Sequence, residues 1–306
     1  MPPRHLSRRG PVLGFALAHL SDPHLNPLPR PRLRELMGKR ATGYANWLRS
    51  RRHVHDMALL ERLLADIAAQ KPDHVACTGD LAHIGLPSEF PRAVAFMEKL
   101  GSHDQVSFVP GNHDAYVPSS LAALTTAMEP WCRSDEAAEG FPWLKVRGHV
   151  ALIGLSSAVP TGPLMAWGRL GQEQIDKAEM LLHYAGKRGL KRVVLIHHPP
   201  HVGGAKRGRE LKDARQFEAM LASAGADLVI HGHNHRTSLV WRAGPQARVP
   251  IVGVACCSMG LRGHGETAGW HLIDIPEDEA PITIARRGLG PTGGIGLLDA
   301  LVLTPP

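Results

Sequence analysis

The organisation of this chain is clearest in nine consecutive residues, Val106-Ser107-Phe108-Val109-Pro110-Gly111-Asn112-His113-Asp114. The run 106–109 is short and apolar, which is typical of a buried strand, and residues 111–114 place an amide, an imidazole and a carboxylate directly after it. Four further motifs of similar composition occur along the chain: Asp22-Pro23-His24, Gly79-Asp80, His197-His198-Pro199-Pro200 and Gly232-His233-Asn234-His235. Each of them also follows an apolar run that predicts a strand.

Short apolar runs alternate with helical stretches over the first three quarters of the chain, a pattern that favours an α/β fold. The runs that predict strands cover 12–20, 74–78, 106–109, 151–155, 193–196 and 228–230. The stretches that predict helices cover 54–70, 88–100, 172–187 and 210–224. From residue 237 onward four more strands are predicted, with the spacing of a meander, over 238–241, 251–256, 270–275 and 282–285. We therefore expect these later strands to form a second sheet.

The positions of the five motifs predict one common site. Side chains that follow the strands of an α/β sheet lie at its carboxyl edge, where such folds form their sites. Together the motifs offer two carboxylates, an amide oxygen and several imidazoles, which is enough to hold two metal ions. A mixture of oxygen and nitrogen ligands suits Mn, Fe or Zn. The residues therefore predict a binuclear metal-dependent hydrolase.

The composition is that of a soluble globular protein that binds anions. The chain has 306 residues, of which 43% are hydrophobic and 21% charged, and this length allows one large domain or two small ones. The formal net charge of +7 favours anionic ligands. No run of lysine and arginine is long enough for a nucleic-acid-binding arm, so we expect no nucleic acid partner. The 19 histidines are a large supply of a residue used for metals and proton transfer.

Two features bear on the cellular compartment. The basic stretch 4–9 and the apolar run 12–18 resemble the first parts of a signal peptide. The apolar run continues directly into Asp22-Pro23-His24 without a cleavage site that would spare this motif, so we interpret it as a core strand. The four cysteines contain no CxxC pair and are expected to be free thiols. We expect a cytoplasmic protein, with peripheral attachment to the inner membrane as the alternative.

The ordered set of motifs resembles the calcineurin-like metallophosphoesterase superfamily, whose pattern is D-x-H, GD, GNH[DE], a later His, and GH-x-H. The match extends from about residue 17 to residue 236. The resemblance implies a four-layer αββα sandwich, in which helices flank two mixed β-sheets and two metal ions bind at the strand ends. The implied ligands are Asp22, His24 and His235 for the first ion and Asn112, His197 and His233 for the second, with Asp80 bridging both.

The same resemblance implies a reaction. Two ions about 3.5–4 Å apart can clamp a phosphate, activate a bridging hydroxide and stabilise developing charge, so the implied chemistry is in-line hydrolysis at phosphorus. His113 is implied to stabilise the transition state or to protonate the leaving alkoxide. Asp114 has two interpretations: it orients His113, or it caps the following turn.

The substrate is expected to contact a basic insert, residues 28–56, that follows the first motif. The insert is either a solvated amphipathic helix or a cap that binds a phosphorylated substrate or an anionic lipid surface. A second basic loop follows the His197 motif and borders the predicted site. His198 is either a support for the neighbouring ligand or a substrate contact. The candidate substrate contacts are Arg40, Arg51, Arg52, His198 and Arg207.

The motifs and the insert favour different substrates. The HHPP element followed by GHNH most resembles bacterial cyclic-nucleotide and glycerophosphodiester phosphodiesterases. The insert, with Tyr44-x-x-Trp47, is similar to enzymes that cleave the pyrophosphate of UDP-2,3-diacylglucosamine in lipid A synthesis. We rank the small phosphodiester first. A non-catalytic scaffold of this fold ranks last, because every motif position is filled.

The domain prediction is one catalytic domain, residues 1–287, which contains the insert. A Gly/Pro-rich and then apolar tail, 288–306, follows it. The tail packs either on the body or on a partner chain, so the sequence leaves a homo-oligomer open.

Overall fold

Two six-stranded sheets form the centre of the protein in the computed structural model, which describes residues 14–135, 140–263 and 265–305. The basic stretch 4–9 and the first two residues of the predicted strand 12–20 lie outside the described residues. The strands are β1 (Gly14–Leu20), β2 (His74–Cys77), β3 (Val106–Phe108), β4 (Trp143–Arg147), β5 (Val150–Gly154), β6 (Lys191–Leu195), β7 (Leu228–His231), β8 (Ser238–Arg242), β9 (Val249–Gly253), β10 (Gly269–Pro276), β11 (Thr283–Leu289) and β12 (Ile295–Val302).

Both sheets are mixed. The first has the order β12-β11-β10-β1-β2-β3, and the second has the order β4-β5-β6-β7-β9-β8. Strands β1, β2 and β3 run parallel, as do β5, β6, β7 and β9, while the remaining strands add antiparallel edges. The parallel strands direct their carboxyl ends, and the loops that carry the five motifs, toward one region of the molecule.

Five helices of the described part of the chain cover the outer faces of the two sheets, and two more lie in the insert. The two in the insert are α1 (Lys39–Asn46) and α2 (Arg52–Val54), and the five on the sheets are α3 (Met57–Gln70), α4 (Phe90–Leu100), α5 (Pro118–Met128), α6 (Gln172–Lys187) and α7 (Ala214–Ala224). The apolar sides of α3, α4 and α5 pack against the first sheet, and those of α6 and α7 pack against the second. A third core lies between the sheets. The predicted α/β class and the αββα layering are confirmed.

The alternation of side chains along β1 explains how one strand serves two cores. Phe15 and Leu17 point to the space between the sheets, whereas Ala18 and Leu20 point to the helices. Successive side chains of a strand face opposite ways, so a strand buried on both faces is apolar throughout. This is why the run 14–20 lacks polar residues except His19, which is itself fully buried.

The later strands do not form a sheet of their own, which corrects that expectation. Strands β8 and β9 complete the second sheet, whereas β10, β11 and β12 pair with β1 and extend the first. Strand β11 crosses residue 287, the predicted domain boundary. Residues 295–302 pair with β11 along their length, so the predicted tail continues the first sheet.

The insert contains α1, a π-helical turn (Trp47–Arg51) and α2. Its anchor is Arg40, which is only 7% exposed. The Arg40 guanidinium donates hydrogen bonds to the carbonyls of Ile84 and Gly85 and to the Ser120 hydroxyl. The insert is therefore fixed to the loop that follows Asp80. No helix in the described part of the chain combines the length and apolar character that a membrane span needs.

Candidate metal centre

The ligand atoms predicted for the first ion converge. The Asp22 Oδ1 atom lies 3.2 Å from His235 Nε2 and 4.0 Å from His24 Nε2. The two imidazole Nε2 atoms are 3.4 Å apart. Atoms that bind one ion at about 2.0–2.2 Å are separated by roughly 3–3.5 Å, so these three side chains need little movement to share an ion.

The atoms predicted for the second ion converge beside them. His197 Nε2 lies 3.3 Å from Asn112 Oδ1, 3.3 Å from His233 Nδ1 and 3.4 Å from Asp80 Oδ2. The same Asp80 oxygen is 3.9 Å from His24 Nε2 in the first group. Asp80 therefore lies between the two groups, where a carboxylate can offer an oxygen to each ion.

The donor set fits two divalent cations. Asp22 Oδ1, one of the converging atoms, is buried and has no hydrogen-bond partner among the described residues. Pairs of imidazole nitrogens face each other at 3.3–3.4 Å, an arrangement that a shared cation stabilises. Buried polar atoms without partners are costly. Three overlapping groups of potential ligands occur here, of which two match the predicted first and second sites and the third adds His113.

Backbone carbonyls orient two of the imidazoles. His24 Nδ1 donates to the Ala82 carbonyl and His197 Nδ1 donates to the Thr78 carbonyl, which leaves each Nε2 facing the site. Burial lowers the pKa of His24 and of His233 well below the ordinary value, so both are neutral, as metal ligands must be. Burial also acts to lower the pKa of His197, but the Asp80 carboxylate raises it to about 9. The raised pKa of His197 reflects the negative charge of the Asp80 carboxylate, which a bound cation would neutralise.

The backbone is strained at the same positions. Seven described residues other than glycine have positive φ angles, and five of them are predicted metal ligands: Asp22, His24, Asp80, His233 and His235. Such conformations cost about 1–3 kcal/mol each and persist where the surroundings impose them, often at functional sites. Gly111 supports this packing, because a Cβ atom there would lie 2.1 Å from Asp80 Oδ1.

His113 lies at the rim of this ligand cluster. Its backbone amide donates to Asp80 Oδ1 at 2.7 Å, and its Nδ1 donates to the His83 carbonyl at 2.5 Å. Its Nε2 accepts a hydrogen bond from Arg51 at 2.8 Å. Burial and then the Arg51 charge lower the pKa of His113. The imidazole is therefore neutral here, with Nε2 as the atom directed toward the site.

Asp114 does not touch the His113 ring in the structure. Its carboxylate accepts hydrogen bonds from the backbone amides of Asp80, Ala82 and Gly111, at 2.8–3.0 Å. These bonds tie the Gly79-Asp80 loop to the Gly111–Asp114 loop. The three donors precede Asp114 in the chain, so among the described residues its carboxylate bonds neither to the His113 ring nor to the following turn, and the His83 carbonyl is the group that orients His113.

The predicted substrate contacts separate into different environments. Arg51 lies at the site, where its guanidinium donates a hydrogen bond to His113 Nε2. Arg40 is used for the anchor of the insert, and the exposed Arg52 bonds to its neighbour His53. His198 is fully buried.

The environment of His198 excludes contact with substrate in this conformation. Its Nδ1 bonds to the Ser157 hydroxyl and its Nε2 donates to the Ala166 carbonyl. Its ring packs 4.5 Å from that of His233. His198 therefore packs against the predicted ligands His197 and His233.

Two cations near the site were not selected as substrate contacts from sequence. Lys39 is buried, and its charge interacts with Asp80 and His113. In the second basic loop Arg207 and Arg209 are both exposed. Burial lowers the pKa of Arg51 and of His233, and the positive charge of Arg209 lowers both further. The pattern of basic residues contains no signal that separates these two positions from their neighbours.

A comparison with known protein families matches the part of the chain that contains these residues. The family model of the calcineurin-like phosphoesterases matches residues 15–237, a range that contains all five motifs. This chain belongs to the calcineurin-like phosphoesterase family. The protein is a metal-dependent phosphohydrolase.

Two curated relatives come from Synechococcus, and both are named probable cyclic nucleotide phosphodiesterase. One, from strain PCC 6301, is 25% identical over 219 residues, which cover 71% of this chain and 77% of the relative. The other, from strain WH7803, is 25% identical over 281 residues, which cover 86% and 92%.

Solved structures share the fold. A dimetal phosphatase from Danio rerio matches 97% of this chain and 100% of its own, with 13% identity and a TM-score of 0.62. A purple acid phosphatase from yellow lupin matches 95% of this chain and 54% of its own, with 13% identity and a TM-score of 0.58.

Proposed function

We propose that this protein hydrolyses a small phosphodiester of the cyclic-nucleotide or glycerophosphodiester class. The observation that carries the proposal is the facing set of seven buried or partly buried ligand candidates, including Asn112, with His113 at its rim. The names of both curated relatives support a cyclic nucleotide as the substrate. The metals expected from the donor set are Mn, Fe or Zn.

The residues of the site have different roles in the proposed hydrolysis. Two bound ions would supply Lewis-acid polarisation of the phosphoryl oxygens and activation of water. Asp80 Oδ1 accepts a hydrogen bond from the His113 amide, which joins the two ligand loops, and oxygens of Asp80 and Asn112 would complete the two sites. His113 Nε2 is placed to exchange its bond with Arg51 for one with a phosphoryl oxygen or with the leaving oxygen. An anionic substrate offsets the Arg51 charge, which favours the protonated imidazole that a general acid needs.

A second candidate is a nucleotide-linked pyrophosphate such as UDP-2,3-diacylglucosamine. The observation that favours it is the pair of cations, Lys39 and Arg51, that the insert places near His113. The aromatic pair of the insert adds no support, because Tyr44 and Trp47 stack on each other and pack against an apolar cluster.

A hydrolysis panel on metal-reconstituted protein tests the proposal. The panel compares cyclic AMP, glycerophosphocholine and bis(p-nitrophenyl) phosphate with UDP-2,3-diacylglucosamine and p-nitrophenyl phosphate. We expect a diester to have the highest kcat/KM. The Asp80→Ala variant should lose metal and hydrolysis together, because it removes the shared carboxylate. Protein with two ions per chain that cleaves no diester would contradict the proposal.

A further inference from the structure

Two surface segments of this protein expose large apolar side chains. In the insert, Leu33 is 90% exposed and Met37 is 76% exposed. In the segment 161–165, which follows β5, Leu164 is 91% exposed and Met165 is 47% exposed. Single exposed apolar residues are common on soluble proteins, whereas a contiguous group of them marks an interaction site. The contacts between the two segments therefore decide whether these side chains belong to one surface.

The two segments are joined by hydrogen bonds. The ammonium of Lys39, two residues after Met37, donates to the Thr161 hydroxyl at 2.6 Å. The same hydroxyl donates to the Met165 carbonyl at 2.7 Å. The exposed side chains of both segments therefore lie on neighbouring parts of the protein, and we call them together the apolar surface: Leu33, Met37, Leu164 and Met165.

Exposed basic residues flank the apolar surface on both sides. In the insert, Arg32 and Arg34 stand on either side of Leu33 in the sequence, and both are exposed. On the other side, the Ala166 amide donates to the Gly208 carbonyl at 2.8 Å, which joins the apolar surface to the second basic loop, residues 206–212. The exposed cations of this loop are Lys206, Arg207, Arg209 and Lys212.

The flanking segments carry an excess of positive charge. Residues 30–37 contain three arginines and one carboxylate, Glu35, and residues 206–212 contain four cations and one carboxylate, Glu210. Glu210 pairs with Lys212 within its own loop. The charge of the flanks is therefore complementary to an anionic partner.

The backbone of Leu164 is strained although its side chain has no packing in the protein that offsets the strain. Its φ angle is 62°, a left-handed conformation that is uncommon for residues other than glycine, asparagine and aspartate. The other described non-glycine residues with positive φ are five predicted metal ligands and Lys71, which ends α3 in the conformation usual for a helix C-terminus. The exposed Leu164 would gain burial only from a partner.

We propose that the apolar surface and its basic flanks dock this protein on an anionic lipid bilayer. Leu33, Met37 and Leu164 would enter the boundary between headgroups and acyl chains, and the flanking cations would remain at the level of the lipid phosphates. The apolar side chains protrude between cations, which suits a fluid surface that adapts to them. A protein partner would instead need a surface of complementary shape.

Docking of this kind would hold the candidate metal centre next to the bilayer. The ammonium of Lys39, which joins the two apolar segments, lies 4.3 Å from the centroid of the Tyr116 ring. That ring stacks on His113 with centroids 5.5 Å apart. The docking does not depend on which diester the site hydrolyses, because no residue of the apolar surface is a predicted metal ligand or substrate contact.

Co-sedimentation of the metal-loaded full chain with lipid vesicles tests the proposal. The vesicles contain phosphatidylcholine alone or phosphatidylcholine with phosphatidylglycerol. We expect the partition coefficient to be at least about tenfold higher on the anionic vesicles, because each basic residue near such a surface adds to the attraction. Raising the NaCl concentration from about 0.1 M to about 0.5 M should weaken binding, since salt screens this attraction.

The variants separate the apolar contribution from the charge. Leu164→Asn removes the apolar side chain but keeps a residue that tolerates the left-handed backbone. This variant and the double variant Leu33→Gln/Met37→Gln should each lower the partition coefficient about threefold or more. Arg32→Gln/Arg34→Gln should lower the preference for anionic vesicles about tenfold.

Met180→Gln is the matched control, because Met180 is 63% exposed on α6 and does not belong to the apolar surface. Its partition coefficient should equal that of wild-type protein. All four variants change exposed side chains, so the melting temperature and the hydrolysis of bis(p-nitrophenyl) phosphate in solution should stay at the wild-type level. These two readouts separate docking from folding and from the proposed function.

Three outcomes would overturn the proposal. The first is equal sedimentation of wild-type protein with neutral and anionic vesicles. The second is wild-type sedimentation of both Leu164→Asn and Leu33→Gln/Met37→Gln. The third is binding to poly-glutamate in preference to anionic vesicles, which would indicate an acidic protein as the partner of this surface.

Discussion

Asp114 holds the two loops at the centre of the site without contacting a predicted substrate position. Its carboxylate satisfies three buried amide donors, including that of Asp80. An unsatisfied buried donor costs about 1–3 kcal/mol. The backbone of Asp80 also has a strained φ angle, so these bonds help to impose the conformation in which its side chain faces both ligand groups.

Asp114→Ala should therefore impair folding and metal binding together. We expect the free energy of unfolding to fall by about 2–4 kcal/mol, because three donors lose their acceptor, and the metal content to fall with it. His113→Ala is the matched comparison, in which both ions should remain while turnover falls about 10²–10⁴-fold. Urea denaturation, metal analysis and kcat on one diester make the measurement. An Asp114→Ala protein with wild-type stability and metal content would contradict this role.

The residues of the candidate site can be predicted from the sequence where they belong to a short motif. The seven candidate ligands were selected by short spacings such as D-x-H, and the structure brings all of them together, although their role as ligands stays a prediction. The arginines of the insert were not separable in this way. Arg40 and Arg51 have the same chemistry and differ only in their surroundings, since residues 84–85 and 120 surround Arg40 and His113 contacts Arg51.

At the scale of elements, helix α1 joins the insert to the site through close packing. Gly43 lies inside this helix, where glycine costs about 1 kcal/mol relative to alanine. A Cβ atom at Gly43 would lie 2.3 Å from the Tyr116 hydroxyl and 2.8 Å from Ile84 Cγ2. The glycine therefore allows α1 to approach the ring on which His113 stacks.

Gly43→Ala should displace the insert although it raises helix propensity. We expect kcat/KM to fall about 10- to 100-fold, because a small misplacement of positioning groups has a large effect on rate, while metal content stays at the wild-type level. Asn46→Ala, at an exposed position of the same helix, controls for propensity and should leave kcat/KM unchanged. Wild-type kinetics in Gly43→Ala would argue against a role of the insert in catalysis.

Elements with strong local signals were predicted closely. Helix α6 has the predicted bounds, and α3 begins three residues later than predicted because Asp56 caps its first turn by accepting a bond from the Leu59 amide. Helix α5 was missed, since its sequence PSSLAALTTAM lacks a clear polar face. The π-helical turn Trp47–Arg51 has no sequence signature, because it depends on the packing of the insert.

At the scale of the molecule, the two sheets supply different sets of predicted ligands. Asp22, His24, Asp80 and Asn112 follow strands of the first sheet, and the three remaining histidines follow strands of the second. Each predicted ion would therefore be bound by residues from both sheets. The sequence pattern does not assign strands β8 to β12 to sheets, because the division depends on the pairing of β10 with β1, which is distant in the chain.

Metal removal should therefore destabilise the whole fold. A ligand that binds only the folded state adds stability, so chelation with EDTA should lower the melting temperature by at least about 5 °C. Re-addition of Mn²⁺ should restore it. Asp80→Ala is the control, since a protein that no longer binds metal should not respond to the chelator. An unchanged melting temperature after verified metal loss would contradict the joining of the sheets through the ions.

The chain order of the ligands has a consequence for biosynthesis. His24 and His235 are 211 residues apart and face each other at 3.4 Å. A nascent chain emerges from its N-terminus, so the ribosome releases the histidine and carboxylate of the first motif long before their partner exists. The strands β10 to β12, which complete the first sheet, emerge later still. The predicted ligand set for the first ion therefore cannot be complete on the ribosome until residue 235 has been synthesised, 211 residues after His24.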